Sequence, residues 1–332
     1  MMSYLVNFVS YVISLVMAVL GVAAPLIGDK TEPIRRAKEG CEASFAVVSD
    51  THLTEVFLRQ SILELGMKDM AEAEDRLDAV VFDGDMTDHG SIKMWDNFAA
   101  AVTSHDEAEQ RIMVVGNHDT WGPVDGDLEL TKQTFIEYNK EICDRDITEM
   151  YYSTEINGCP VIVLGSEGDH TYATVSDTQI AWFADEMAKA AETGKPIFVF
   201  MHQSINGTHG LPYTWEMNED DPPEEGGIGE ASDDILNIIK QYKNVFYISG
   251  HIHAGFANDN NLLAKYTSVE KYNGYTLINV PCYTYPDVQR GGNVTNGTGY
   301  VFEVYEDEVL LRARNFATGT WCPRFDDAIE LV

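Results

Sequence analysis

The chain has 332 residues, of which 22 are Lys or Arg and 54 are Asp or Glu, and its formal net charge at pH 7 is −32. Hydrophobic residues make up 45 % and aromatic residues 11 %, so the chain can bury a core and is not a disordered acidic tail. A surface this negative repels DNA, RNA and anionic lipid headgroups, because phosphate binding needs clustered Lys and Arg. The composition therefore disfavours a nucleic-acid-binding protein.

The first segment, residues 1–28, is predicted to be a hydrophobic signal peptide or a membrane anchor. No charged residue precedes Asp29, and the run Tyr4–Ile27 is almost wholly apolar. It is long enough to span a bilayer, which takes about 20 residues. A signal peptide normally has a basic start, which is missing here, whereas small residues near Ala24 would suit cleavage. Both alternatives stay open beside a third, a buried helix, and we expect a secreted or membrane-anchored protein with membrane association through residues 4–27.

Residues 29–43 are expected to form a linker, and residues 44–332 a single domain. From about Cys41, short apolar runs alternate with helix-like segments, which predicts an α/β layered fold with a largely parallel core sheet. The runs are typical of strands buried on both faces: Phe45–Ser49, Ala79–Phe82, Ile112–Val115, Val161–Leu164, Ile197–Met201 and Val245–Ile248. The helix-like segments are Leu58–Leu77, Ile92–Ser104, Leu128–Cys143, Asp177–Ala191 and Asp233–Tyr242.

The carboxyl-terminal third is predicted to be rich in strands, without intervening helices. The strands are expected at Tyr275–Val280, Tyr300–Tyr305 and Val309–Arg314, with the turn Glu306–Glu308 as a hairpin loop. The five cysteines are scattered and form no CxxC pair, which argues against a zinc ribbon or a dense disulfide framework. Buried free thiols are the preferred interpretation, and one or two bridges remain the alternative.

Several of the predicted buried strands end in Asp, Asn or His. In open α/β sheets the ligand crevice lies outside the carboxyl ends of the strands, so these side chains are expected at one edge. Residues two apart in extended backbone face the same side, so Asp-x-His and His-x-His pairs can reach one centre. The side chains are Asp50, His52, Asp85, Asn117, His202, His251 and His253.

Carboxylate, amide and imidazole ligands without a thiolate suit a divalent metal such as Mn, Fe or Zn. Seven such side chains are too many for one ion. Two ions about 3.5–4 Å apart, sharing one bridging carboxylate, would use them all.

The ordered series Asp-x-His, Gly-Asp-x-x-Asp, Gly-Asn-His-Asp, His and Gly-His-x-His resembles the calcineurin-like metallophosphoesterase family, from about residue 44 to 255. The resemblance implies a four-layer α/β/β/α sandwich with a β-rich carboxyl-terminal portion. It also implies roles for the side chains. The first metal would be bound by Asp50, His52 and His253, the second by Asn117, His202 and His251, and Asp85 would bridge them. His118 would assist the leaving group, and the carboxylate of Asp88 would orient it.

Asp88 stands where purple acid phosphatases, a branch of this superfamily, have Tyr, so an Fe(III)–tyrosinate centre is not expected. Two metals would lower the pKa of a bridging water and neutralise phosphoryl charge in the transition state. The expected function is a metal-dependent phosphoric ester hydrolase that uses a metal-bridging hydroxide. A small phosphomonoester is the preferred substrate, and a phosphodiester of a nucleotide or lipid is the alternative. A non-catalytic metal-binding scaffold is less expected, because the chain retains every ligand.

The remaining histidines lack motif context. His89, His105 and His170 are expected to be ordinary surface or core residues. His209 is a candidate for substrate binding, because it lies in the long polar loop 206–230 that follows His202.

Overall fold

The computed structural model of the protein describes residues 32–124, 126–170, 173–210, 227–257, 266–284 and 296–332. The apolar segment 1–28, with its predicted role as signal peptide or anchor, lies outside these residues. Among the described residues, no helix is both long and apolar enough to cross a membrane. Residues 32–42, part of the predicted linker, have no helix or strand, but Ile34 is buried against the domain.

Strands and helices alternate through the first three quarters of the chain. The strands of this part are β1 (Ala43–Val48), β2 (Ala79–Asp83), β3 (Arg111–Val114), β4 (Tyr152–Ile156), β5 (Cys159–Val163), β6 (Ile197–Phe200) and β7 (Val245–Ser249). The helices are α1 (Phe57–Ala71), α2 (Ile92–Val102), α3 (Leu128–Cys143), α4 (Asp177–Ala191) and α5 (Ser232–Ile239). Strands follow: β8 (Val269–Lys271), β9 (Tyr275–Asn279), β10 (Thr298–Val304), β11 (Glu308–Asn315), β12 (Thr320–Trp321) and β13 (Asp327–Glu330).

The strands form two sheets rather than one core sheet. The first has the order β12-β11-β10-β1-β2-β3, with β13 also paired to β11, and β1, β2 and β3 are parallel. The second has the order β4-β5-β6-β7-β9-β8, and its four central strands are parallel. The strand and helix pattern alone predicts a single sheet, and this detail is wrong. The two-sheet arrangement is the one that the family resemblance implies.

Alternating side chains of each sheet face two different cores. Phe45 and Val47 of β1 pack between the sheets, whereas Ala46 and Val48 pack against α1, α2 and α3. A third core lies between the second sheet and helices α4 and α5, and includes Phe183. Because strand side chains alternate between faces, a sheet covered on both sides reads as a continuous apolar run. The four-layer α/β/β/α sandwich is therefore confirmed, with its strand-rich carboxyl-terminal portion.

The hairpin between β10 and β11 is confirmed as an antiparallel pair. Its loop differs from the prediction by one residue, because Glu308 already pairs within β11. Helix α1 is shorter than expected and ends at Ala71 instead of Leu77. All five cysteines lie within the described residues and are free thiols, but only Cys159 and Cys282 are buried, and the other three are partly exposed.

Candidate metal centre

The carboxyl ends of β1, β2, β3, β6 and β7 meet at one edge of the sandwich. Hydrogen bonds join the two sheets there: Nδ1 of His202 donates to the carbonyl oxygen of Asp83 at 2.7 Å, and the N–H of His251 donates to Oδ2 of Asp50 at 3.1 Å. Residues from both sheets can therefore reach one centre, as the sequence predicts.

The backbone at this edge is strained. Five of the seven predicted ligands have a left-handed φ, at Asp50 (56°), His52 (43°), Asp85 (48°), His251 (69°) and His253 (55°). Such a backbone costs of order 1–3 kcal/mol per non-glycine residue and is typical of functional sites. The prediction that these pairs converge along extended backbone is therefore wrong. They converge because the chain turns sharply at each member.

Two glycines let the chain approach the site closely. Gly84 has a left-handed φ of 83°, and a Cβ there would lie 2.3 Å from Nδ1 of His202. A Cβ at Gly250 would lie 1.8 Å from Oγ of Ser49 and 2.7 Å from Oδ2 of Asp50. Any larger residue would therefore displace side chains that belong to the site.

Two groups of side chains share Asp85 and are close enough to hold two ions. The first group is Asp50, His52, Asp85 and His253, and the second is Asp85, His202 and His251; the ligand atoms of each group lie within 4.8 Å of one another. Oδ2 of Asp85 is 3.6 Å from Nε2 of His52 and 3.1 Å from Nε2 of His202. One carboxylate oxygen thus faces both groups, which is the arrangement that a bridging ligand needs.

Several ligand atoms that face this centre lack hydrogen-bond partners, while other atoms of the same side chains are held. Among the buried atoms of the described residues without a hydrogen bond are four from the predicted ligands: Oδ1 of Asp50, Oδ2 of Asp85, Oδ1 of Asn117 and Nε2 of His202. Oδ2 of Asp50 accepts from Oγ of Ser49 at 2.7 Å, and Oδ1 of Asp85 accepts from the N–H of His118 at 2.8 Å. Buried polar atoms without partners are costly, so this donor set fits a dinuclear centre.

The carboxylates hold positive charge at the site. Burial alone would lower the pKa of His52, but Asp50 and Asp88 outweigh it and raise the pKa to about 9. Burial opposes the charged form of His202 as well, but Asp85 and Asp50 raise its pKa to about 10. Protons on these histidines balance the negative charge of the neighbouring carboxylates. Bound divalent cations would supply that positive charge instead.

His118 is oriented by a main-chain group rather than by a carboxylate. Its Nδ1 donates to the carbonyl oxygen of Asp88 at 2.8 Å. The carboxylate Oδ1 of Asp88 instead accepts from Nη1 of Arg59 at 2.8 Å and lies 3.5 Å from Nδ1 of His52. The predicted carboxylate–histidine pair is therefore corrected: Asp88 orients His118 through its backbone, because its side chain is turned toward Arg59 and His52.

Two residues beside the predicted ligands hold parts of the site in place. Arg59 lies in α1, outside any motif, and its Nη1 also donates to the carbonyl oxygen of His52 at 2.6 Å. Asp119 is the last residue of the Gly-Asn-His-Asp motif. Its buried carboxylate accepts from the N–H groups of Gly116, Met86 and Thr87 and from Oγ1 of Thr87. It thereby locks together the loops that follow β2 and β3.

His209 lies outside this arrangement. Its Nδ1 donates to the carbonyl oxygen of Thr267 at 2.8 Å, and its N–H donates to Oε1 of Glu270 at 2.7 Å. The residue is only 1 % exposed. Such burial points to a structural role rather than to the substrate contact expected from the sequence.

A family model described as calcineurin-like phosphoesterase matches residues 43–255, which contain all seven predicted ligands. The chain belongs to this family. Membership confirms the family that the five motifs predict.

Two known proteins are similar to this chain. A relative from Rhodococcus erythropolis, described as a probable cyclic nucleotide phosphodiesterase, is 27 % identical over 149 residues. That match covers 43 % of this chain and 44 % of the relative, so the chain spans under half of the relative's length. The crystal structure of a dimetal phosphatase from Danio rerio is 12 % identical, with a TM-score of 0.56 over 88 % of this chain and 100 % of that chain. At this identity the likeness shows a shared fold.

Proposed function

We propose that this protein hydrolyses small phosphomonoesters with the help of two divalent metal ions. The observation that carries the proposal is the pair of ligand groups that share Asp85, with unpartnered buried atoms turned toward one centre. Family membership supports the same chemistry.

Each ligand has a part in holding the ions. Asp50, His52 and His253 are proposed to bind one of them. The second would be held by Asn117, His202 and His251, with Asp85 between the two. When bound, two such ions lower the pKa of a water molecule and neutralise phosphoryl charge. The hydrogen bond from Nδ1 of His202 to the carbonyl oxygen of Asp83 leaves Nε2 of the ring for a ligand bond.

His118 is proposed to move the proton that the leaving oxygen needs. A carbonyl oxygen only accepts hydrogen bonds, so Nδ1 of His118 carries a hydrogen and Nε2 is the atom that gains and releases the proton. Burial lowers the pKa of His118, which favours release of that proton. Arg59 and the backbone of Asp88 keep the ring in place.

A small monoester fits the charges of the molecule best. Its dianionic phosphoryl group offers two cations the most charge to neutralise. The net charge of −32 opposes a long polyanion. A second candidate, hydrolysis of a phosphodiester such as a cyclic nucleotide, is favoured by the description of the Rhodococcus erythropolis relative.

A panel of monoesters and diesters, assayed with Mn, Zn, Fe and Mg, tests the proposal. We expect two divalent ions per purified chain, hydrolysis that EDTA abolishes, and higher kcat/KM for monoesters. Higher kcat/KM for diesters would select the second candidate. A metal-replete protein that hydrolyses none of these esters would overturn both and favour a non-catalytic scaffold. Mn, Fe or Zn is the expected pair, because the ligands are carboxylate, amide and imidazole.

We also propose that the protein is secreted or membrane-anchored through residues 4–27. The support is the uncharged apolar run Tyr4–Ile27. Expression of the full chain followed by fractionation tests this. We expect the protein in the membrane fraction or, shortened at its amino terminus, outside the cell. Full-length protein in the cytosol would contradict the proposal.

A further inference from the structure

A set of aromatic rings lines one side of the candidate site. Trp121 ends the 3₁₀ turn Asp119–Trp121 that follows the Asn117-His118 motif. Its ring stacks on that of His170, with centroids 4.1 Å apart and planes 3° apart, and meets His89 at 5.0 Å and 42°. We refer to these three residues as the Trp121 wall.

The wall begins where the leaving group of a substrate would lie. The ring of His118 is 6.0 Å from that of Trp121 and 4.6 Å from that of His52, so it stands between the wall and the metal ligands. Nδ1 of His118 is engaged by the carbonyl oxygen of Asp88. A leaving oxygen served by Nε2 therefore carries its substituent into the neighbourhood of Trp121.

The surroundings of Trp121 differ from those of a core aromatic. Trp95, for comparison, is 1 % exposed and packs with Phe98, Phe135 and Tyr138 in the core beneath the first sheet. Trp121 is partly exposed and belongs to none of the hydrophobic clusters formed by the described residues. Its ring neighbours are histidines, and the side chain of His89 is 52 % exposed. The wall is therefore a surface open to solvent beside the catalytic histidine.

The backbone beneath the wall is closely packed. Gly90 follows His89, and a Cβ at Gly90 would lie 2.5 Å from the main-chain nitrogen of Gly122 and 2.8 Å from the carbonyl oxygen of Asp119. The loops that carry His89 and Trp121 thus touch backbone to backbone. Such a preformed surface binds a planar group without a large entropic cost of ordering.

We propose that the Trp121 wall binds the leaving group and selects phosphoesters whose leaving group carries a planar ring, such as a nucleobase or an aryl group. The proposal rests on the proposed function and adds a substrate class to it. Stacking of a base on an aromatic side chain is sequence-tolerant and favours binding by about 5- to 150-fold. The planar ring, rather than the phosphoryl group, would then decide which small phosphoester is preferred.

Two pairs of substrates isolate the planar ring from the reactivity of the ester. Adenosine 5′-monophosphate and ribose 5-phosphate share a leaving oxygen and differ in the nucleobase. Benzyl phosphate and cyclohexylmethyl phosphate differ mainly in the planarity of the ring. For the metal-replete full chain we expect kcat/KM to be higher for the planar member of at least one pair by about 5- to 150-fold. A preference in the first pair alone identifies a nucleobase, and a preference in both identifies any planar ring.

Variants at Trp121 distinguish recognition from a structural role. Trp121→Ala should bring the ratio of kcat/KM within each preferred pair close to one, because kcat/KM falls more for the planar member than for the non-planar one. Trp121→Phe should restore part of the ratio. Trp182→Ala is the matched control, because Trp182 is also partly exposed and contacts another ring, that of Tyr151, with centroids 4.8 Å apart and planes tilted by 52°, but it lies on α4. It should leave every ratio unchanged.

The proposal would be overturned if Trp121→Ala lowered kcat/KM equally for both members of a pair. It would also be overturned if the wild-type ratio of kcat/KM were near one in both pairs. Calorimetric binding of the same four compounds separates this outcome from failure of the proposed function. Tighter binding of the planar compounds without turnover would reject the hydrolase and keep the wall as a binding site. Equal binding without turnover would reject both.

Discussion

Asp83 and Asp85 are buried carboxylates two residues apart, and their surroundings shift their pKa values in opposite directions. Burial raises the pKa of Asp83 well above its ordinary value, and the charge of Asp50 adds to the effect. Burial acts on Asp85 too, but His202 and His118 outweigh it and hold its pKa well below the usual range. The pKa values of the two carboxyl groups are therefore shifted in opposite directions, and it is Asp85 whose surroundings favour the charge that a bridge between two cations requires.

Replacing each of these carboxylates by its neutral isostere should give contrasting results. Asp85→Asn should abolish hydrolysis and lower the metal content, because the bridging charge acts on both ions. Asp83→Asn, the matched control, should keep both metals and change kcat only a few-fold, because Asp83 belongs to neither group of candidate metal ligands and its burial disfavours a charge there. Metal analysis and kinetics on both variants check this. Equal metal loss in the two would show that burial, and not the bridge, determines the effect.

His118 is predicted to affect turnover without affecting metal content. His118→Ala should lower kcat by about 10²- to 10⁴-fold, the usual contribution of a proton donor, while both metals stay bound. The loss should be smaller for p-nitrophenyl phosphate than for an alkyl phosphate, since a good leaving group needs less protonation.

A replacement away from the site provides the control for His118. His105, whose Nδ1 lies 2.8 Å from Oγ of Ser104, is partly exposed and belongs to none of the ligand groups, and His105→Ala should have no effect on kcat. If the metal content of the His118 variant fell as far as that of Asp85→Asn, His118 would have to be counted among the ligands.

The side chains that converge at the candidate centre could be predicted from the sequence, because the motifs mark both residue type and position after a strand. The partners that orient them could not. Arg59 reaches Asp88 across 29 positions, and His118 is held by a main-chain carbonyl that any residue could supply. Trp121 stood next to a motif, but its stacking on His170 depends on a loop that follows a different strand.

The bounds of a helix or strand are predicted well where the apolar periodicity of the sequence matches the residues that the element buries. They are predicted poorly where the two differ. The bounds of α3 and α4 agree with the prediction, and both begin at an N-cap, Asp127 and Ser176. Helix α1 ends early because the N–H of Glu74 donates to the carbonyl oxygen of Ile34 at 2.8 Å, which draws the chain out of the helix. Leu77 looks like a further helical position, but it is buried in the core just before β2.

Strand β4 gave no signal because it lies at the edge of the second sheet. Its two end residues are buried, its three central residues are exposed or partly exposed, and those central residues, Ser-Thr-Glu, are polar.

The glycines at the strand ends also show what the sequence leaves undetermined. The sequence predicts tight turns at Gly84, Gly116 and Gly250, but only Gly84 has a left-handed φ, and the other two are needed for close approach.

Gly84 and Gly158 allow the cost of a tight turn to be separated from the cost of crowding the site. Both have a φ of 83°, but nothing lies within 4 Å of a Cβ at Gly158. Gly158→Ala should therefore cost about 1–2 kcal/mol of stability. Gly84→Ala should cost about 1–3 kcal/mol more, because its Cβ would press on the ring of His202.

Urea unfolding and metal analysis of the two variants check this prediction. We expect Gly84→Ala also to lower the metal content, since the displaced ring of His202 is a proposed ligand. Equal stability and equal metal content in the two variants would show that the loop after β2 adapts to a methyl group.

At the scale of the whole molecule, the residue pattern predicted alternating strands and helices but not their division into two sheets. Continuous apolar runs indicate that a strand is buried on both faces, without indicating whether a helix or another sheet covers it. Phe45 and Ala46 illustrate this, because they are adjacent and pack into different cores. Only the ordered motifs, which belong to a known family, supplied that information.

The net charge leads to a prediction about salt. The surface repels anionic substrates, whereas two bound divalent cations would attract phosphate locally. A nucleoside 5′-monophosphate and a short 5′-phosphorylated oligonucleotide carry the same terminal ester, but the oligonucleotide adds negative phosphates that remain near the protein surface. At an ionic strength of about 0.01 M, where the screening length is about 30 Å, we expect kcat/KM for the oligonucleotide to be lower by about tenfold or more. Near 0.15 M, where the screening length is about 8 Å, the difference should narrow.

Initial rates for both substrates across this range of salt, with metal content measured at each point, test the prediction. The direction in which kcat/KM changes with salt is informative, because a protein that binds polyanions loses affinity as salt is added. Here kcat/KM for the oligonucleotide should rise with salt and that for the mononucleotide should change less, because it carries fewer charges. If the oligonucleotide were instead the better substrate at low salt, a local basic surface would have to dominate the charge of −32, and polymers would become the substrates to examine.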